Sequence, residues 1–153
     1  MSKRDRIITL VGAIVIAFGI YGIKYYLDHR TVINGIHVPI MPNRKENNST
    51  LHGVDTDHNG VRDDIDRMIA EAYGNDPVRY RLVFSYFKAL TLAVENPTKE
   101  NVRNVGYRVA CILGPTYKDV TIIEHQYLET PEVGKAYSHA MAGAIADLTC
   151  IPE

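Results

Sequence analysis

Asp55-Thr-Asp-His-Asn-Gly-Val-Arg-Asp-Asp-Ile-Asp66 is the stretch from which the rest of the chain can be read. Side-chain oxygens stand at its first, third, fifth, ninth and twelfth places, and a glycine, Gly60, stands at the sixth. Hard divalent cations need six to eight oxygen ligands, and alternate acidic positions around a sharp glycine turn deliver them from one short loop. The competing reading is a solvated polar turn capping a helix. Five carboxylates (Asp55, Asp57, Asp63, Asp64 and Asp66) face only Arg62 within these twelve residues. Each close pair of like charges costs up to about 4 kcal/mol at about 4 Å in a medium of effective dielectric near 20. A bound cation removes that repulsion, whereas a solvated turn leaves it in place.

The loop resembles the EF-hand, and more closely the acidic loops of dockerin modules and thrombospondin type 3 repeats. The resemblance covers these twelve residues alone. It implies a Ca2+ ion held by Asp55, Asp57, Asn59, the backbone carbonyl of Val61, Asp63 and Asp66. The closing residue is Asp66 rather than Glu, a shorter arm. No helical period leads into the loop, because residues 31–54 are rich in Pro, Gly and Asn. A sensor of the opening type swings two helices apart, so a loop with only an exiting helix implies a constitutively filled structural site.

That exiting helix is expected to begin near Arg62 or Asp63 and to end before Gly74-Asn75, with Ile65, Met68, Ile69, Ala72 and Tyr73 at helical spacing. Asp76-Pro77 is a cap followed by proline at the first helical position, opening a helix that carries Val78, Leu82, Val83, Tyr86, Leu90 and Val94 and stops at Asn96. Asn96-Pro97 repeats the signal for a helix with Val102, Val105, Val109, Ile112 and Leu113, closed by Gly114-Pro115. Further helices are expected from Tyr117 to Glu129 and from Thr130-Pro131 onward, the last presenting Val133, Tyr137, Met141, Ala144, Ile145 and Leu148. The fold class that follows is all-α, a calcium-loop-led bundle of about five helices over residues 55–153, behind a linker over 31–54.

Residues 1–30 read as an amino-terminal transmembrane anchor. Lys3, Arg4 and Arg6 form a basic flank, Ile7 to Ile23 is uncharged, and Lys24, Tyr25 and Tyr26 suit a headgroup region. Contact with a lipid bilayer is therefore expected through residues 7–26. The implied location is the inner membrane, single-pass, with the carboxy-terminal domain exported. A signal peptide cleaved near Ala17-Phe-Gly19 is the alternative.

The two cysteines, Cys111 and Cys150, are too far apart for a Cys-Cys metal motif and read as a disulfide, with two buried thiols as the other option. The chain has 17 basic and 18 acidic residues. Past residue 30 the balance is acidic and no basic stripe remains, so nucleic acid is excluded as a partner. The six histidines show no ligand spacing, and neither a serine elbow nor a phosphate loop occurs. These features imply a calcium-binding envelope protein that is not an enzyme, serving as a structural or interaction module with a protein or cell-wall partner. The alternative is a small exported hydrolase using Glu71 or Glu95 with a second carboxylate.

Overall fold

The computed structural model describes residues 3–28, 30–112 and 117–144. The chain divides into two compact units, Met1–Thr31 and Val32–Glu153. The first unit is built on one helix, α1 (Lys3–Asp28). Many of its apolar side chains are exposed, among them Val15, Phe18, Ile20 and Ile23.

The membrane anchor expected here is not supported, because no helix among the described residues is long and apolar enough to cross a membrane. The uncharged run of α1 gives the physical reason. Its seventeen positions, Ile7 to Ile23, rise about 26 Å against a hydrocarbon core of about 30 Å. The all-α reading with an amino-terminal transmembrane helix is corrected accordingly. The single-pass inner-membrane location falls with the span.

A two-stranded hairpin, β1 (Arg30–Ile33) and β2 (Ile36–Pro39), begins at the boundary between the units, and the expectation of a purely helical fold omits it. Asn34 (φ 49°) and Gly35 (φ 81°) make its turn, and two successive left-handed residues match the twist of paired strands. A single helical turn, α2 (Arg44–Asn47), follows, capped by the Asn43 side chain accepting from Lys45 N. This stretch packs on the helical body. Val38 and Asn47 are buried. Asn34 Nδ2 donates to the carbonyls of Ala70 and Glu71 at 3.0 and 3.1 Å, and Arg67 Nη1 donates to Pro39 O at 2.9 Å.

Five longer helices form the body: α3 (Asp63–Tyr73), α4 (Pro77–Glu95), α5 (Lys99–Ile112), α6 (Tyr117–Tyr127) and α7 (Pro131–Ala144). Asp76 caps α4 by accepting from Val78 N and Arg79 N, with Pro77 where a missing N–H costs nothing. Central α4 packs on α3, α5 and α7, while α3 also meets β2 and α6. The core gathers Ile65 and Ile69 from α3, Val83, Tyr86, Phe87 and Leu90 from α4, Val105 and Ile112 from α5, and Val120, Ile123 and Tyr127 from α6. Val78, placed on the inner face by its spacing, is exposed instead, together with Pro77 and Arg79 in the first turn of α4. Cys111 is disulfide-bonded. Cys150, Leu113, Gly114-Pro115, Ile145 and Leu148 lie outside the described residues.

Candidate metal centre

The loop between Val54 and α3 is tied at its two ends by one backbone bond, Asp63 N donating to Val54 O at 2.8 Å. Within that closure the chain turns twice through the left-handed region, at His58 (φ 57°) and Gly60 (φ 89°). Gly60 accepts that conformation without steric cost. His58 is held there as its Nδ1 meets Asp55 O at 2.8 Å.

The turns bring Asp55, Asp57 and Asp63 together, with one oxygen from each lying within 4.8 Å of the others. This acidic triad can hold a metal ion. Backbone donors orient two of the three carboxylates. Asp55 accepts from Asn59 N at 3.1 Å and Gly60 N at 2.9 Å, and Asp63 accepts from Thr56 N at 2.9 Å and Thr56 Oγ1 at 2.6 Å. Asp57 Oδ1 is buried.

The spacing also singles out Asn59, Val61 and Asp66. Asn59 Oδ1 accepts from Val61 N at 2.8 Å, its Nδ2 donates to Asp66 Oδ2 at 3.0 Å, and Tyr80 OH donates to Asp66 Oδ1 at 3.3 Å. The Val61 side chain is buried in the core.

The electrostatics of the ion-free loop are unfavourable in a way a dication would relieve. Burial raises the Asp63 carboxyl above its usual range, and the charges of Asp55 and Asp57 add to that rise against the opposing hydrogen bonds from Thr56. Asp66 is pushed up to about 6, first by burial and then by Asp57 and Asp63, with Asn59 and Tyr80 acting the other way. Arg62, the one cation within the loop sequence, does not help, because its guanidinium turns inward to Asp64.

Sequence reading missed the residues that surround the loop from a distance. His52 stands with Nε2 3.4 Å from Asp55 Oδ2 and Nδ1 2.5 Å from Glu95 Oε1 at the end of α4. Tyr80 and Lys88 reach the loop from the same helix, the Lys88 stem lying over Gly60. His52, three residues before Asp55, had a local signal; Tyr80, Lys88 and Glu95 are brought in by packing alone. Of the two glutamates considered for a carboxylate pair, Glu95 faces His52 and Glu71 is exposed on α3. One cavity carries two acids on its wall, Asp64 and Glu129, each in an ion pair, with Arg62 and Arg44 respectively. No protein-family model, curated protein or solved structure matches this chain, so the reading of the site stands on its geometry and on the loop motif.

Proposed function

We propose that residues 55–66 hold one calcium ion and that the protein is a calcium-stabilised helical module with a structural or interaction role. The observation that carries this reading is the convergence of Asp55, Asp57 and Asp63 within 4.8 Å around a left-handed Gly60, while Arg62 is committed to Asp64. An all-oxygen set rich in carboxylates suits a hard cation and not a soft one. The loop resemblance assigns the remaining places to Asn59, the Val61 carbonyl and Asp66.

The consequence of such binding is mechanical. Asp55 and Asp57 lie on the segment that leaves the hairpin and α2, whereas Asp63 and Asp66 lie in the first turn of α3. One ion shared among them fastens that segment to the helix start, where the helix dipole already favours carboxylates. Asp64 and Glu129, the acids of the two-carboxylate cavity, are each neutralised by an arginine, which favours a binding module over a hydrolase.

The test is calcium titration of the chelator-treated protein by calorimetry, with magnesium as comparison. One equivalent of calcium is expected to bind more tightly than magnesium. The melting temperature should rise by several degrees, since a hundredfold excess over the dissociation constant stabilises by about 2.7 kcal/mol. The paired substitution Asp55→Ala and Asp57→Ala should remove both signals. An unchanged melting curve with calcium or chelator overturns the proposal.

A further inference from the structure

Asp66 closes the loop with a shorter arm than the glutamate of the EF-hand, so its carboxylate must be aimed by its surroundings. It is buried, and each of its oxygens has one donor. Oδ2 accepts from Asn59 Nδ2 at 3.0 Å, within the loop. Oδ1 accepts from Tyr80 OH at 3.3 Å, and Tyr80 stands on α4, outside the twelve-residue motif. An ionised carboxylate offers about four lone-pair sites, so one donor on each oxygen leaves both free to accept from a cation as well.

Tyr80 is held in place independently of that bond. Its ring stacks on Phe84, one helical turn later, with centroids 5.7 Å apart and planes inclined by 28°, and both rings pack against the core. The start of α4 is fixed just before it by Pro77 and the Asp76 cap. A phenol keeps its proton at neutral pH, having a pKa of about 10, and therefore meets a carboxylate as a donor. At 3.3 Å the bond is longer than the roughly 2.7 to 2.8 Å of a well-formed O–H···O contact, so it has room to tighten.

We infer that Tyr80 is a positioning residue of the metal centre, which from α4 orients the closing carboxylate of Asp66 toward the ion. The inference rests on the calcium reading of the loop and adds to it a group that the loop motif does not contain. Partners that hold a metal ligand by hydrogen bonds fix its orientation, and their loss typically costs about 10- to 100-fold in metal affinity. The mechanical consequence also widens. Through Asp66 and Tyr80, an ion that fastens the loop to α3 also fastens it to α4.

The test is Tyr80→Phe in the full chain, which keeps the ring and its stacking and deletes the hydroxyl alone. Calcium titration by calorimetry should show a dissociation constant raised at least about tenfold, while the melting temperature of the chelator-treated variant matches that of the chelator-treated parent. In the parent, calcium should shift the Tyr80 ring resonances, identified by their absence from the spectrum of the variant, in step with the calorimetric isotherm. A purely structural role moves neither the affinity nor the dependence of the ring signal on calcium. Equal calcium affinity in variant and parent overturns the inference, as do Tyr80 resonances that ignore calcium, or a loss of stability of the same size with and without the ion. A parent that binds no calcium overturns the loop reading itself and the inference with it, so the two failures are told apart by the parent titration.

Discussion

Arg62 grips the neighbouring acid Asp64 with two hydrogen bonds, Nε to Oδ1 at 3.0 Å and Nη2 to Oδ2 at 2.7 Å, and both residues are buried. The guanidinium also lies 5.5 Å from the centre of the Tyr127 ring, and Nη1 donates to Tyr127 O at 3.4 Å. Two adjacent aspartates in one sequence run are thereby given opposite tasks. Asp63 turns to the loop and Asp64 to the junction of α3 with α6.

Substitution of these two neighbours should have opposite signatures. Asp64→Asn breaks a buried ion pair on one side, which typically costs about 3 to 5 kcal/mol because the remaining charge is left uncompensated. Asp63→Asn removes one of several repelling carboxylates, so the calcium-free protein should keep or gain stability while calcium affinity falls at least tenfold. Urea unfolding without calcium and calorimetric titration with it separate the two effects. Loss of calcium-free stability in Asp63→Asn as large as in Asp64→Asn would contradict the division of roles.

Gly53 and Gly60 both have positive φ, 72° and 89°, yet alanine should be tolerated very differently at each. A Cβ on Gly53 would stand 2.6 Å from Arg62 Cδ and 2.9 Å from Asn47 Oδ1. Arg62 is pinned by Asp64 and cannot yield, so strain and overpacking together should cost about 3 to 5 kcal/mol. A Cβ on Gly60 meets the Lys88 stem at 3.2 Å, and this exposed, flexible side chain can move aside. Only the backbone strain of about 1 to 2 kcal/mol should remain. Equal midpoints for Gly53→Ala and Gly60→Ala in urea would show that the Arg62 packing is loose.

What was legible in the sequence is what local chemistry decides. Gly60 and the alternating acids close the loop through bonds spanning at most nine residues, and Asp76-Pro77 fixes the start of α4 through its own backbone donors. Asn34-Gly35 was an equally local signal for a hairpin, flanked by Val32-Ile33 and Ile36-His-Val38, but the surrounding prolines and asparagines disguised it as a linker. The orientation of Arg62 was not legible. Whether it opposes the loop acids or turns inward depends on Tyr127, 65 positions later.

Cys111, at the end of α5, offers a chemical test of the fold's closure. A bond to Cys150, the other cysteine of the chain, would close a loop of roughly 40 residues and stabilise by about 3 to 4 kcal/mol in the chain-entropy model. Mass spectrometry of the unreduced, alkylated protein should show no modified thiol and one peptide pair joining residues 111 and 150. Reduction should lower the melting temperature by more than 5 °C, on the order of what 3 kcal/mol does in a domain of this size. Two alkylated cysteines in the unreduced protein would exclude the bond.

The last prediction concerns Glu124, a carboxyl on α6 buried against α4, where the Tyr86 hydroxyl donates to its Oε1. Burial raises its pKa above the ordinary value of 4.5, and the Tyr86 hydrogen bond and the His125 charge only partly offset the rise. Tyr86 itself is held well above its usual pKa, first by burial and then by Glu124, so it remains a donor throughout. Because the folded pKa is raised, the group's stabilising contribution is complete below about 4.3 to 4.5 and is lost as pH rises through the folded value. Glu124→Gln keeps an oxygen for Tyr86 and removes the cost of burying charge. The variant should therefore melt higher than the parent at pH 7, with the gap narrowing toward pH 4. Comparing the two proteins at each pH cancels the similar behaviour of Asp63 and Asp66 in the calcium-free loop. A Glu124→Gln protein less stable than the parent by the same margin at both pH values would mean that the carboxylate, in its charged form, is part of what holds α4 to α6.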